Sequence, residues 1–200
     1  MDLDELFGEG TLKTLALATA EDAKAHLAAG HPLRAAFSAA HCIQISGQRG
    51  WSDAEHERMA AALKEDVQAR LKSADDTTAA WRAGYLSMLT GDSPWPDADR
   101  ARLARGVSPK ESFRPWQRVW FAGQAADYYL LTGETFWTDA DLRIMLDAVR
   151  DDFVVRLRGG DKLMAADRVV LYKLLASTKE APSFPDPPSP SMERELGGEV

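Results

Sequence analysis

Apolar side chains recur along this chain at three- and four-residue spacing, and no stretch sustains the alternation of a half-buried strand. Over 11–29, Leu12, Leu15, Ala16, Ala23 and Leu27 keep near-helical spacing, and Gly30 supplies a stop. A second helix opens with Pro32 in its first turn and runs to Ser46 through Leu33, Ala36, Phe37, Ala40 and Ile43. Ser52 followed by Glu55 reads as a capping box for a helix reaching about 72, with Met59, Leu63, Val67 and Leu71 inward. Further helices are predicted over 77–90, 97–105, 115–132, 138–158 and 164–177, with a short helical turn over 2–7. The break over 106–114 is the longest inside the body and is expected to be its most mobile loop.

One stretch occurs three times: a glycine, three variable residues, a tryptophan, one residue, then Asp-Ala and an acid. It begins at Gly47, Gly91 and Gly133, which are 44 and 42 residues apart, and contains Trp51, Trp95 and Trp137. Self-similarity at that period, with a helix on each side of every copy, is the signature of stacked helical hairpins. The expected fold is therefore all-α: antiparallel hairpins, about eight helices, in three repeats of about 43 residues. Residues 1–177 form one domain, and the Pro- and Ser-rich 178–200 an extended or disordered tail.

Composition narrows the partners. With 24 basic and 31 acidic residues the net charge is −7, which disfavours nucleic acid and anionic lipid and favours a basic protein. The single cysteine, Cys42, fits a reducing compartment and a buried helix position. The acidic start is unlike a signal peptide, and no apolar run approaches the ~18 residues that span a bilayer. The sequence therefore reads as a soluble, cytoplasmic protein that meets no membrane.

Candidate binding residues fall in two groups. Stacked hairpins would set Trp51, Trp95 and Trp137 in a row at one end, beside Asp97, Asp99, Asp139 and Asp141. Such a row could be a binding edge, but the favoured reading is structural: tryptophans as staples before helix starts, and acids facing helix dipoles. The second group, Trp81, Tyr85, Trp116, Trp120, Asp127 and Tyr128, would surround a cavity beside the aromatic helix, with Arg82 or Arg118 as partner to a buried Asp127. The four histidines, His26, His31, His41 and His56, lack metal-ligand spacing even with Cys42, so no metal is expected. Nucleophile elbow, phosphate loop and dinucleotide motifs are absent from the sequence, so neither catalysis nor a cofactor is expected.

The stretch from Trp81 to Asp92, Trp-Arg-Ala-Gly-Tyr-Leu-Ser-Met-Leu-Thr-Gly-Asp, resembles the middle of all-α bacterial toxin-immunity proteins, most nearly the immunity protein 49 family, over about 32–158. The resemblance implies an antitoxin that binds and blocks a cognate toxin, here a basic domain, without chemistry of its own. Two alternatives stand beside it: a tetratricopeptide-like adaptor gripping a peptide through Gln44, Arg82 and Gln124, and a small-ligand binder using the aromatic cavity.

Overall fold

The computed structural model describes residues 6–108 and 117–180. Among them are eight α-helices and no strand: α1 (Glu9–Ala28), α2 (Pro32–Ser46), α3 (Asp53–Lys72), α4 (Asp76–Thr90), α5 (Asp97–Val107), α6 (Arg118–Thr132), α7 (Asp139–Arg158) and α8 (Lys162–Ser177). A 3-10 turn, Thr178–Glu180, follows, with Thr178 buried, so the folded body extends three residues past the expected limit. Of the turn expected over 2–7, only Leu6 and Phe7 are described, and both are helical. Gly106 and Val107 belong to α5, while the rest of the expected loop from 109 onward, the start of the aromatic helix at 115–116 and the tail beyond 180 lie outside the described residues. No helix is long and apolar enough to cross a membrane.

The thrice-repeated corner is one local structure. Gly47, Gly91 and Gly133 all take the left-handed conformation, at φ 69°, 75° and 73°, and each donates its N–H to the carbonyl four residues back. A side chain at these angles would crowd its own carbonyl, hence glycine. Ser52 with Glu55 and Thr138 with Asp141 close capping boxes at the following helices, whereas Pro96 in the middle copy offers no side-chain cap.

Among the described residues, however, the corner and the helix after it recur four times. Helices α1, α3, α5 and α7 begin at 9, 53, 97 and 139, and the aromatic two residues earlier is Phe7, Trp51, Trp95 or Trp137. The buried face of these helices recurs in the same register, with Leu15, Met59, Leu103 and Met145 all fully buried. A second corner repeats at the opposite end. Gly30, Ala74 and Gly160 are left-handed, and the residue after each donates its N–H to the carbonyl of His26, Arg70 or Arg156, five residues back. The first hairpin escaped the sequence reading because Phe7-Gly8-Glu9 carries neither the tryptophan nor the Asp-Ala pair.

The four hairpins form a closed ring rather than an open stack. Phe37 meets Trp81, His41 meets Tyr85, and Gln44 bonds to Met88, a constant offset of 44 that sets α2 and α4 parallel. Contacts of His41 with Asp167 and of Lys173 with Gln44 set α8 parallel to α2. The inner helices pack in the cycle α2, α4, α6, α8 and back to α2, and each of α1, α3, α5 and α7 lies outside, touching two inner neighbours. The core is the layer between the two rings. One arc joins α1 to α5, and the other joins the start of α1 to α6, α7 and α8. Phe7, edge-on to Phe153 and Tyr172, fills the seam where the last hairpin meets the first.

Small residues let the inner helices close. Ala39, Ala83, Ala125 and Ala165 are equivalent and fully buried, and Ala40, Gly84, Ala126 and Ala166 follow them. Short side chains at a contact bring helix axes together. The outer ring has one comparable approach: a β-carbon at Gly106 would lie 2.5 Å from the carbonyl oxygen of Asp76, in backbone that cannot yield. Gly106→Ala is therefore expected to destabilise by about 1–3 kcal/mol despite the better helix propensity of alanine. Gly123→Ala in α6, where nothing lies within 4 Å, should be neutral or stabilising by up to about 1 kcal/mol. Paired thermal melts that rank the two variants the other way round would contradict the packing described.

Candidate functional site

Immediately after the small pair, each inner helix contributes one polar residue to a common layer: His41 from α2, Tyr85 from α4, Asp127 from α6 and Asp167 from α8. These four line a cavity of about 820 Å³ between the inner helices. Near the starts of the inner helices it carries Trp81 and Trp120, which are 44% and 58% exposed although both belong to the inner ring.

Three members of the layer bond to one another. His41 Nε2 lies 3.2 Å from Asp167 Oδ1 and 3.3 Å from the Tyr85 hydroxyl, which itself donates to Asp167 at 3.4 Å. Arg168 braces the carboxylates: its guanidinium donates to Asp167 and to Asp152 on α7, and Arg156 reaches Asp152 at 3.5 Å. Burial pushes the Asp167 carboxyl up, yet the bond and charge of His41, with Arg168 and Tyr85 in support, outweigh it and hold the group below the usual carboxylate range. Burial, followed by the charges of Asp167 and Asp127, drives the Tyr85 hydroxyl well above its ordinary value, so it stays protonated and a donor.

Asp127 differs in kind. Its carboxyl has no hydrogen-bond partner among the described residues, and its small exposure opens into the cavity. Burial, with the negative charge of Asp167 added, raises it well above the usual carboxylate range and so favours its neutral form. Gly84 makes this position possible, since a β-carbon there would sit 2.4 Å from Asp127 Oδ1. One turn earlier on α6, Gln124 also lines the cavity, and its side-chain oxygen is buried without a hydrogen-bond partner among the described residues.

The sequence-predicted candidates divide cleanly. Trp81, Tyr85, Trp120 and Asp127 do share a cavity, while Tyr128 turns away from it and packs 4.9 Å from the Phe136 ring; Trp116 lies outside the described residues. The partners expected for Asp127 are engaged elsewhere. Arg82 lies 3.3 Å from Asp66 and stacks over Phe37 and Trp81, and Arg118 is exposed. The corner tryptophans are packing elements, with Trp95 4% exposed and Trp51 and Trp137 half-buried against the core. Asp141 closes its cap, Asp97 pairs with Arg100, and Asp97, Asp99 and Asp139 stand in the first turns of α5 and α7. Of the residues expected to line an adaptor groove, Gln44 donates to the Met88 carbonyl, Arg82 lies 3.3 Å from Asp66, and Gln124 lines the cavity.

Sequence reasoning passes over Asp167 and Arg168 and takes His41 only as a possible metal ligand. The signal was the recurrence of two small residues before the polar one, Ala39-Ala40-His41, Ala83-Gly84-Tyr85, Ala125-Ala126-Asp127 and Ala165-Ala166-Asp167, at spacings of 44, 42 and 40. No three metal-ligating side chains are grouped to hold an ion among the described residues. Compared with protein-family models, curated proteins and solved structures, the chain gives no match.

The raised proton affinity of Asp127 makes stability pH-dependent with a definite sign. Its folded-state affinity for the proton exceeds the unfolded one, so its contribution is complete at acid pH and is lost as pH rises above the ordinary carboxyl range. Asp127→Asn keeps the shape of the protonated acid without titrating. The variant's advantage over wild type should therefore widen from pH 5 to pH 7, by at most about 1.4 kcal/mol per pH unit. Melting temperatures across that range that stay parallel would show Asp127 to be ionised and compensated.

Proposed function

We propose that this chain is a non-catalytic binding protein, that the ring cavity is its binding site, and that the occupant is a projecting segment of another protein. The observation that carries this is the exposure of Trp81 and Trp120 at the mouth of a cavity with a polar floor. Two large side chains kept in solvent beside a concavity are what a binding hot spot needs. The net charge of −7 would speed encounter with a basic partner and slow association with acidic ones.

In its most concrete form the reading is an immunity protein that occupies the basic cleft of a toxin. The support for that form is the resemblance of the stretch from Trp81 to Asp92, which contains one of the two mouth tryptophans and the Gly84 and Tyr85 of the floor. A second reading, a receptor for a free small molecule, is favoured by one measurement: about 820 Å³ falls within the ~300–1,000 Å³ typical of small-ligand pockets.

The Trp81→Ala, Trp120→Ala double variant separates these ideas from an unrelated surface. A basic protein bound one-to-one by wild type should lose about thirtyfold or more in affinity, equivalent to ~2 kcal/mol or above for a hot-spot pair. If that protein is a toxin, co-expressed wild type should restore growth and the double variant should not. A partner held equally by both forms, with folding confirmed by melting, would place the interface elsewhere and end the proposal.

A further inference from the structure

Two polar groups of the ring cavity lack a hydrogen-bond partner among the described residues. The Asp127 carboxyl and the Gln124 side-chain oxygen lie three residues apart on α6, hence on one face and one turn apart, and neither has a hydrogen-bond partner among the described residues. Buried polar atoms are nearly always paired, so the Gln124 oxygen calls for a donor, and the Asp127 carboxyl would call for another once ionised; a group bringing N–H donors answers both. The other carboxylates are already answered, Asp167 by His41, Tyr85 and Arg168, and Asp152 by Arg168 and Arg156. The mouth supplies aromatic faces, and this ring already shows that such faces accept a guanidinium. The Arg82 side-chain carbon sits 4.2 Å from the Phe37 centroid and 4.5 Å from the Trp81 centroid.

We propose that the cavity is a receptor site for an organic cation with at least two N–H donors, a guanidinium, amidinium or primary ammonium group, bound beneath Trp81 and Trp120 and seated on Asp127 and Gln124. The inference rests on the reading of the ring cavity as the binding site and adds the chemistry of the occupant. Seating the cation gives Asp127 the counter-charge it lacks, so the carboxyl ionises: its proton passes to solvent, the ligand keeps its own, and a carboxylate–cation pair remains. The groups around Asp127 do not compete for this role. His41 on α2, Tyr85 and Arg82 on α4, Asp152 and Arg156 on α7, and Asp167 and Arg168 on α8 are engaged with one another, with Asp66 or with Phe37, and α5 sends only the apolar Val107 into the cavity. Binding and proton release are therefore linked, and affinity must rise with pH until Asp127 is ionised in the empty protein as well.

Calorimetry on the full chain tests this with benzamidine as the charged probe and benzamide as its neutral counterpart. Benzamidine is expected to bind with release of close to one proton, read from buffers of different ionisation enthalpy, and to tighten by about tenfold per pH unit where Asp127 is protonated. Benzamide and the Asp127→Asn protein with benzamidine should each be about tenfold weaker or worse, the latter without pH dependence. A short arginine peptide capped at both ends, run beside agmatine, tells a protein side chain from a free amine by which binds more tightly. Equal binding of benzamide, binding without proton release, an unchanged Asp127→Asn variant, or no binding of any cation would each overturn the proposal. A protein partner that depends on Trp81 and Trp120 while benzamidine fails would leave the binding reading standing and remove only this one. Cation binding without such a partner would do the reverse.

Discussion

Close approach of the inner helices is what every other feature depends on. Four parallel helices can surround a common axis only if their facing side chains are short, and two successive positions in each are alanine or glycine. With larger residues there, the hairpins would splay and the outer apolar faces would lose their seat. Ring closure in turn requires a seal between the ends of the chain, because no loop links α8 to α1. Phe7, packed against Phe153 and Tyr172, takes at that seam the place the tryptophans hold at the other three.

Closing the ring brings four side chains into one enclosed layer, which forces an electrostatic solution. Two neighbouring carboxylates cannot both stay ionised in a poorly solvated space without cations to match them. Here the matching is uneven. Asp167 has a histidine, a tyrosine hydroxyl and an arginine beside it, while Asp127 has Gly84 beneath it and holds its proton more tightly than an ordinary carboxyl. An acid whose surroundings favour its neutral form is a group whose charge an occupant can restore, and it lies below two tryptophans that face solvent. The acidic surface and the aromatic mouth would then act in sequence, one guiding a basic partner and the other gripping it.

Much of the fold was legible because its signals are local. Periodic apolar residues gave the helices, and glycine before Trp-x-Asp gave three corners whose left-handed glycines and two capping boxes agree with the coordinates. Of the corner tryptophans, Trp95 is buried, and Trp51 and Trp137 are half-buried against the core. The site was half legible. Trp81, Tyr85, Trp120 and Asp127 stand out as aromatics and an acid on helices otherwise rich in small residues, so they could be grouped by character alone. His41 and Asp167 could not, since neither lies near the other in sequence and a lone histidine on an alanine-rich face carries no sign of its neighbour.

The sequence by itself determined the helices, their caps, the repeat period and the all-α class, because each follows from interactions within a few residues along the chain. Tertiary structure decided that the hairpins number four and close on themselves, since closure depends on the first and last helices meeting across more than 130 intervening residues. It also decided which acid binds its proton more tightly and which less. That outcome depends on distance and on the exclusion of water, and both came into being only when α2, α4, α6 and α8 were drawn around one axis.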